Sequence, residues 1–101
     1  MSRKYRVRLL PIAEEDLDQI LAFVGADNVT AALDLVERIE RQLAALANFP
    51  NLGRVPRDDD LRNTGYRYLV IDDYLAFYTV DNRTVTVHRI VHAARDYKGL
   101  L

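Results

Sequence analysis

Between Tyr66 and Tyr97 the chain reads YRYLVIDDYLAFYTVDNRTVTVHRIVHAARDY. It holds three runs of aromatic and branched residues parted by short polar breaks, and such residues suit a pleated, packed surface. The runs are Tyr66 to Ile71, Tyr74 to Val80 and Thr84 to His92. Asp72-Asp73 and Asp81-Asn82-Arg83 separate them; Asp and Asn tolerate left-handed backbone angles and hydrogen-bond their own main chain. Connections this short force antiparallel neighbours. The composition then turns polar: His88, Arg89, His92, Arg95, Asp96 and Tyr97 fall close together. Chemistry is expected there.

Upstream, Arg3 to Leu9 alternates, with Tyr5, Val7 and Leu9 facing one way and Lys4, Arg6 and Arg8 the other. This is a half-buried strand with a basic outer face. Pro11 suits the first position of a helix, where a missing N–H costs nothing. Glu14, Glu15 and Asp16 follow in the first turn, where carboxylates meet the positive end of the helix dipole. Ala13, Leu17, Ile20, Leu21 and Val24 make the apolar stripe, and Gly25 ends the helix. Asp27 or Asn28 caps a second helix running to about Asn48, with Val29, Ala32, Leu33, Val36, Ile39, Leu43 and Leu46 on its buried side. Asp34–Arg38 and Glu37–Arg41 are pairs on its wet side, each contributing about 0.2–0.5 kcal/mol. The short link Gly25-Ala26-Asp27 makes the two helices an antiparallel hairpin. Phe49-Pro50-Asn51-Leu52-Gly53 stops the second helix, and Arg54 to Thr64 reads as a charged loop. The order is β-α-α-β-β-β. It predicts a single domain over residues 1–101 of the α/β (α+β) class, a helix hairpin packed on one antiparallel sheet.

Half of the residues are apolar and 29% are charged, the balance of a soluble globular protein. The absence of cysteine excludes a disulfide scaffold and thiolate chemistry and fits a reducing compartment. No apolar run approaches the ~20 residues that a membrane span needs, and the N-terminal segment lacks a signal peptide's continuous apolar stretch. The chain is expected to be cytoplasmic, with no membrane partner. Its net charge of -1 hides an asymmetry, because residues 3 to 8 are basic while residues 14 to 40 are acid-rich. A basic zone can steer an anionic partner. An ordinary solvated face is the plainer reading.

The hairpin is apolar on both faces, with Leu69, Ile71, Leu75 and Phe77 placed on one and Tyr68, Val70, Tyr74, Ala76 and Tyr78 on the other. Helices on one side cannot cover both, so a loop or a partner covers the second. His88, His92 and Asp96 do not suggest a metal site, since strand residues four apart stand about 13 Å apart. Asp58, Asp59 and Asp60 diverge and lack EF-hand spacing. No metal or cofactor is expected. Arg89, His92, Arg95 and Tyr97 offer forks for phosphate, a proton carrier near neutral pH and a ring that stacks on a base. These are parts of a metal-free ribonuclease, and equally of a site that grips a partner's carboxylates. The structural alternative pairs Arg95 with Asp96, and pairs Arg89, placed on the face of Val85 and Val87, with an acid of the helices. Arg95 and Tyr97 are expected to leave the sheet at its rim, free to reach a partner.

Four segments in order carry a family likeness: Pro11-Ile12-Ala13-Glu14-Glu15-Asp16-Leu17; Phe49-Pro50 with Leu52-Gly53-Arg54; Tyr66-Arg67 with Tyr74-Leu75-Ala76-Phe77-Tyr78; and Arg89-Ile90-Val91-His92-Ala93-Ala94-Arg95-Asp96. Together they resemble the RelE/ParE superfamily, the toxins of bacterial type II toxin–antitoxin modules, over nearly the whole chain. The resemblance implies a first strand lying beside the last, which would bring Arg6 and Arg8 near Arg89. It implies a toxin–antitoxin hetero-oligomer in which the cognate antitoxin's flexible C-terminal segment folds onto the toxin. The surface expected to receive it includes Tyr68, Tyr74, Phe77, Tyr78, Arg6 and Arg8. RelE-like members cut mRNA in the ribosome without metal, using arginines and often a C-terminal Tyr or His, whereas ParE-like members poison DNA gyrase. The RelE-like pattern Tyr-Arg-x-x-Tyr is here Tyr74-Leu75-Ala76-Phe77-Tyr78, with Leu75 in place of the arginine. The ending His92 to Asp96 also looks ParE-like. The resemblance therefore implies a gyrase inhibitor of the plasmid-stabilising kind, not an enzyme. The alternative is a RelE-like mRNA endoribonuclease acting at the ribosome, with Arg67, Arg89, His92, Arg95 and Tyr97 as catalytic candidates. A non-toxic binding module of the same fold is the third reading.

Overall fold

The computed structural model describes residues 4–101. Its elements are β1 (Arg6–Leu9), α1 (Pro11–Gly25), α2 (Val29–Ala45), α3 (Asp59–Asn63), β2 (Arg67–Ile71), β3 (Tyr74–Asp81) and β4 (Thr84–His92), with a 3-10 turn at Lys98–Leu100. The four strands form one sheet in the order β1-β4-β3-β2. β2, β3 and β4 are antiparallel neighbours, and β1 lies parallel to β4, so the sheet is mixed. The expected α+β arrangement of a helix hairpin on a sheet is the one found, but the sheet, expected to be antiparallel throughout, carries one parallel pair because α1 and α2 bring β1 in beside β4 in the same direction. β1 is shorter than its alternation suggests: Arg3 lies outside the described residues, and the Tyr5 N–H donates to Ala47 O at 2.7 Å.

Both long helices begin where the sequence places them. Pro11 opens α1, and Asn28 caps α2, its Oδ1 accepting from the Ala31 N–H at 3.0 Å. The face that α2 buries is Ala32, Leu35, Ile39 and Leu43, followed by Leu46. Val29 and Leu33, expected on that face, are 64% and 56% exposed. Leu33 follows Ala32 directly and is turned about 100° from it around the helix. Arg38 pairs with Asp72 of the β2–β3 turn rather than with Asp34, while Glu37–Arg41 forms as expected at 3.2 Å.

The hairpin register reassigns its faces. Ile71 lies opposite Tyr74 and Leu69 opposite Ala76, and residues opposite one another share a face. Leu69, Ile71, Tyr74, Ala76 and Tyr78 therefore pack under the helices, with Val85, Val87 and Ile90 of β4. Tyr66, Leu75, Phe77 and Val91 form a second cluster on the opposite face, with Tyr68 packed against it. The chain covers that second face itself. The segment read as a loop supplies α3, whose Leu61 is buried there, and Tyr97, Leu100 and Leu101 pack beside it. Asp58 caps α3, accepting from the Leu61 N–H at 3.1 Å, and also pairs with Lys98 Nζ at 2.6 Å. That bond ties the tail to the helix; it lowers the Asp58 pKa and raises that of Lys98.

One irregularity organises β4. Phe77 is opposite Arg89 but Tyr78 is opposite Val87, so His88 is an extra residue. Such a bulge reverses the alternation that follows it. Arg89 consequently stands opposite Phe77, on the face away from Val85 and Val87, and Ile90 returns to the helix-side core.

Candidate functional site

The site begins where β1 stops. Pro11 turns the chain into α1, and the last main-chain bond from this segment to β4 runs from the Leu10 N–H to Val87 O at 3.0 Å. Further along β4, the Ile90 N–H donates to Asp16 Oδ2 of α1 at 2.9 Å. Arg89 closes on the same carboxylate, with Nε 2.8 Å from Oδ2 and Nη2 2.9 Å from Oδ1. This is a two-pronged, charge-assisted fork. It is largely dry, the side chains being 13% (Arg89) and 8% (Asp16) exposed. The bonds to Asp16 hold the guanidinium protonated more firmly than usual, against the opposing effect of burial. Asp16 is thus a structural partner inside the fold, not simply a charge placed for the helix dipole. Arg89 Nη1 also reaches Leu100 O at 3.5 Å, connecting the fork to the tail.

Beside this fork, between α1 and the ends of β3 and β4, lies a groove of about 420 Å³ lined by Ile20, Phe23, Tyr74, His92 and Arg95. Phe23 is 78% exposed. The His92 ring meets Tyr74 edge-on at 5.4 Å, and its Nδ1 accepts from the Ala94 N–H at 3.1 Å. The Arg95 N–H donates to His92 O at 3.0 Å, fixing a turn that places Arg95 at the groove. Its guanidinium makes no hydrogen bond or ion pair among the described residues, so the Arg95–Asp96 pair of the structural alternative does not form. Among the described residues, Arg95 is an unpaired cation at this groove.

The other predicted site residues are dispersed. Tyr97 does not project from the rim; its ring lies 4.8 Å from Phe77, turned back over the second cluster. Arg67 Nη1 donates to Gly53 O at 3.1 Å and Asn51 O at 3.4 Å, bracing the segment before α3. Arg67 faces Tyr78 across the sheet whereas His92 faces Tyr74. Two strand spacings and four residues therefore part Arg67 from His92, on the order of 16 Å. Phe77 and Tyr78, expected on a partner surface, are 1% and 0% exposed. The Tyr78 hydroxyl accepts from the Gly53 N–H at 2.7 Å, and burial raises its pKa. A Cβ at Gly53 would come within 2.6 Å of that oxygen, which is why glycine stands there.

β1 lies beside β4 as expected, with Arg6 and Arg8 in register with Thr84 and Thr86, five and three residues short of Arg89, whose guanidinium is held by Asp16. Arg6 and Arg8 border a polar patch. His88 Nε2 is 2.9 Å from Thr79 Oγ1, and its ring stands edge-on to Tyr66 at 5.0 Å. Burial, reinforced by the charge of Arg8, lowers the His88 pKa. The sequence carried a sign of this cluster, because the apolar positions of β4 step from Val85 and Val87 to Ile90 and so change parity. Asp16 was likewise legible as an acid three residues from Ala13 and four from Ile20, on the buried stripe of α1.

The chain is thus a helix hairpin on a four-stranded mixed sheet with strand order β1-β4-β3-β2. A family model described as "ParE toxin of type II toxin-antitoxin system, parDE" matches residues 7–97, and the chain belongs to that family. It is 35% identical over 103 residues to the candidate toxin Y4kP of Sinorhizobium fredii, with both chains covered completely. Its fold is similar to that in the chromosomal ParDE toxin–antitoxin system of P. aeruginosa, with a TM-score of 0.72 and 23% identity over 90% of this chain and 98% of that one. It is also similar to a chain of the toxin–antitoxin complex RelBE2 of Mycobacterium tuberculosis, with a TM-score of 0.57 and 21% identity over 88% and 98%. The chain is a type II toxin of the RelE/ParE kind.

Proposed function

We propose that this toxin acts in the ParE manner, inhibiting DNA gyrase and with it replication, and is neutralised in the bacterial cytoplasm by a cognate antitoxin. The observation that carries the reading is Leu75. It occupies the position of the arginine in the RelE-like pattern and is buried with Phe77 and Val91 in the second cluster. A phosphate clamp has no counterpart there. The remaining nuclease candidates support the same conclusion, since Arg89 is engaged by Asp16, Arg67 by the Gly53 and Asn51 carbonyls, and Tyr97 by Phe77. Arg95 and His92, beside exposed Phe23, remain for contact with a target. Both solved relatives come from toxin–antitoxin systems, which supports an antitoxin as the partner that restrains this chain.

The purified chain is expected to inhibit supercoiling by gyrase while leaving ribosome-bound mRNA intact. Cuts at fixed codon positions within minutes of induction, with supercoiling unaffected, would overturn the reading in favour of a ribosome-dependent nuclease.

A further inference from the structure

The face of the sheet turned away from the helix hairpin has two unlike ends. At one end α3 and the tail cover the apolar cluster around Phe77. At the other the strands place polar side chains. Val85 and Val87 pack under the helices, so Thr84 and Thr86 turn to the open side, and Thr79 of β3 faces Thr86 in register. On the other flank of β4, Arg6 and Arg8 are in register with the same two threonines and are exposed, while Val7 and Leu9 pack toward the helix-side core. His88 joins this group at the bulge, its Nε2 2.9 Å from Thr79 Oγ1. The result is a platform of two guanidiniums, three hydroxyls and an imidazole. Neither Arg6 nor Arg8 has an ion-pair partner among the described residues.

Arginines two residues apart in a strand stand about 6.6 Å from each other, a spacing that matches successive phosphates of one nucleic-acid strand. Guanidinium forks and threonine hydroxyls are donors that meet phosphate oxygens. An acidic protein would satisfy the arginines, but the core of a protein interface needs apolar or aromatic anchors. The exposed large apolar side chains include none on β1, β3 or β4. A single strand is gripped by rings on which its bases stack, and the rings nearest this platform, Tyr66 and Phe77, are buried. A duplex asks for neither, because it presents phosphates and keeps its bases stacked inside. Asp81, in register with Thr84, is the one carboxylate that the described strands place on this face, and it bounds the platform on the β3 side.

We infer that this platform, centred on Arg8 and Thr86, holds the phosphate backbone of duplex DNA without reading its sequence. The duplex meant is the one on which the gyrase proposed above acts, so the inference rests on that reading. The groove with Phe23 and Arg95 lies at the far ends of β3 and β4, on the side of α1. Enzyme and DNA would therefore be met by separate surfaces of the same chain.

The test titrates the full chain into a short fluorescent DNA duplex of arbitrary sequence at about 50 mM salt and follows its anisotropy. Arg6→Gln/Arg8→Gln should weaken binding about tenfold and lower the steepness of log affinity against log salt by about 2. Arg38→Gln/Arg41→Gln removes as much charge from α2, on the far side of the sheet, and should leave that steepness unchanged. Asp81→Asn should tighten binding. In the unaltered chain, burial and then the field of Arg8 hold the His88 pKa low. A phosphate seated at Arg8 offsets that field, so the His88 ring resonances should titrate at higher pH with the duplex bound. That readout asks nothing of any variant. No binding by the unaltered chain, an equal loss in the two double variants, or a His88 titration that the duplex leaves unmoved overturns the inference. So does a glutamate peptide of matched charge that displaces the duplex as well as unlabelled duplex does, since the platform would then suit an acidic protein. Inhibition of supercoiling tests the gyrase reading separately. Inhibition without duplex binding defeats only this inference, and duplex binding without inhibition defeats only that reading.

Discussion

Replacing Asp16 by Ala should be among the most damaging single changes in this chain. It strands the Arg89 guanidinium at 13% exposure and deprives the Ile90 N–H of its acceptor. Removing one partner of a buried pair costs about 3–5 kcal/mol. The lower end applies here, because the aliphatic stem of Arg89 allows its head to swing toward water at the edge of the sheet. For a chain of this length, about 3 kcal/mol lowers the melting temperature by roughly 12–24 °C. Arg89→Ala should cost a similar amount, since it leaves the Asp16 carboxylate with the Ile90 N–H as its remaining donor. The double variant Asp16→Asn/Arg89→Met separates pairing from packing. It keeps an oxygen for the Ile90 N–H and removes both charges, so it should be more stable than either alanine variant. Urea denaturation of the set, followed by circular dichroism, measures the coupling. If the two single losses, each measured with the double variant's own substitutions, add to the double loss within about 0.5 kcal/mol, Asp16 and Arg89 are not a unit and the reasoning fails.

Arg95→Ala should abolish most toxicity, read as recovery of growth on induction, while changing stability by no more than about 0.5 kcal/mol, because its guanidinium has no partner to lose; a fully toxic variant, or one that unfolds, would remove Arg95 from the working surface. For His88, whose pKa is lowered in the folded chain by burial and by Arg8, the unfolded chain takes up its proton first on acidification, near the ordinary value of about 6.5. Its contribution is present above that pH and is lost as the pH falls toward the folded pKa, so His88→Gln should flatten the stability profile below about pH 6.5.

The element order was readable because each boundary carries local chemistry. Pro11 and Asn28 start helices, and Asp72, Asn82 and Arg83 adopt the positive φ values of 52°, 48° and 59° that tight hairpins require. What escaped the sequence depends on contacts between distant residues. α3 is five residues long and has no amphipathic period to detect; it holds because Leu61 is buried under the sheet and Asp58 meets Lys98. The tail from Tyr97 is short and has no periodic pattern of its own, yet Tyr97, Leu100 and Leu101 become a cover once the hairpin presents Phe77. The face assignment failed for a related reason. Alternation within a strand is local, but the relation between the faces of two strands depends on which residues of the turn are unpaired, and here Ile71 pairs with Tyr74.

The bulge at His88 links these details to function. Without the extra residue, Arg89 would share the face of Val85 and Val87 and point its charge into the helix-side core. With it, Arg89 roots on the opposite face, reaches round the edge that β1 has vacated, and meets Asp16 coming from α1. The Ile90 N–H, turned toward the same vacancy, finds the same carboxylate. One carboxylate therefore joins α1 to β4, and through the bond from Arg89 to Leu100 O it steadies the tail that covers Phe77. A guanidinium committed in this way has little freedom to clamp a phosphate, because breaking the fork would forfeit the buried pair. The next arginine along the chain, Arg95, lies beyond the end of β4, where main-chain bonds rather than side-chain pairs set its position. This division of labour is what favours a toxin that grips its target through Arg95 and the neighbouring groove over one that cleaves a phosphodiester with Arg89.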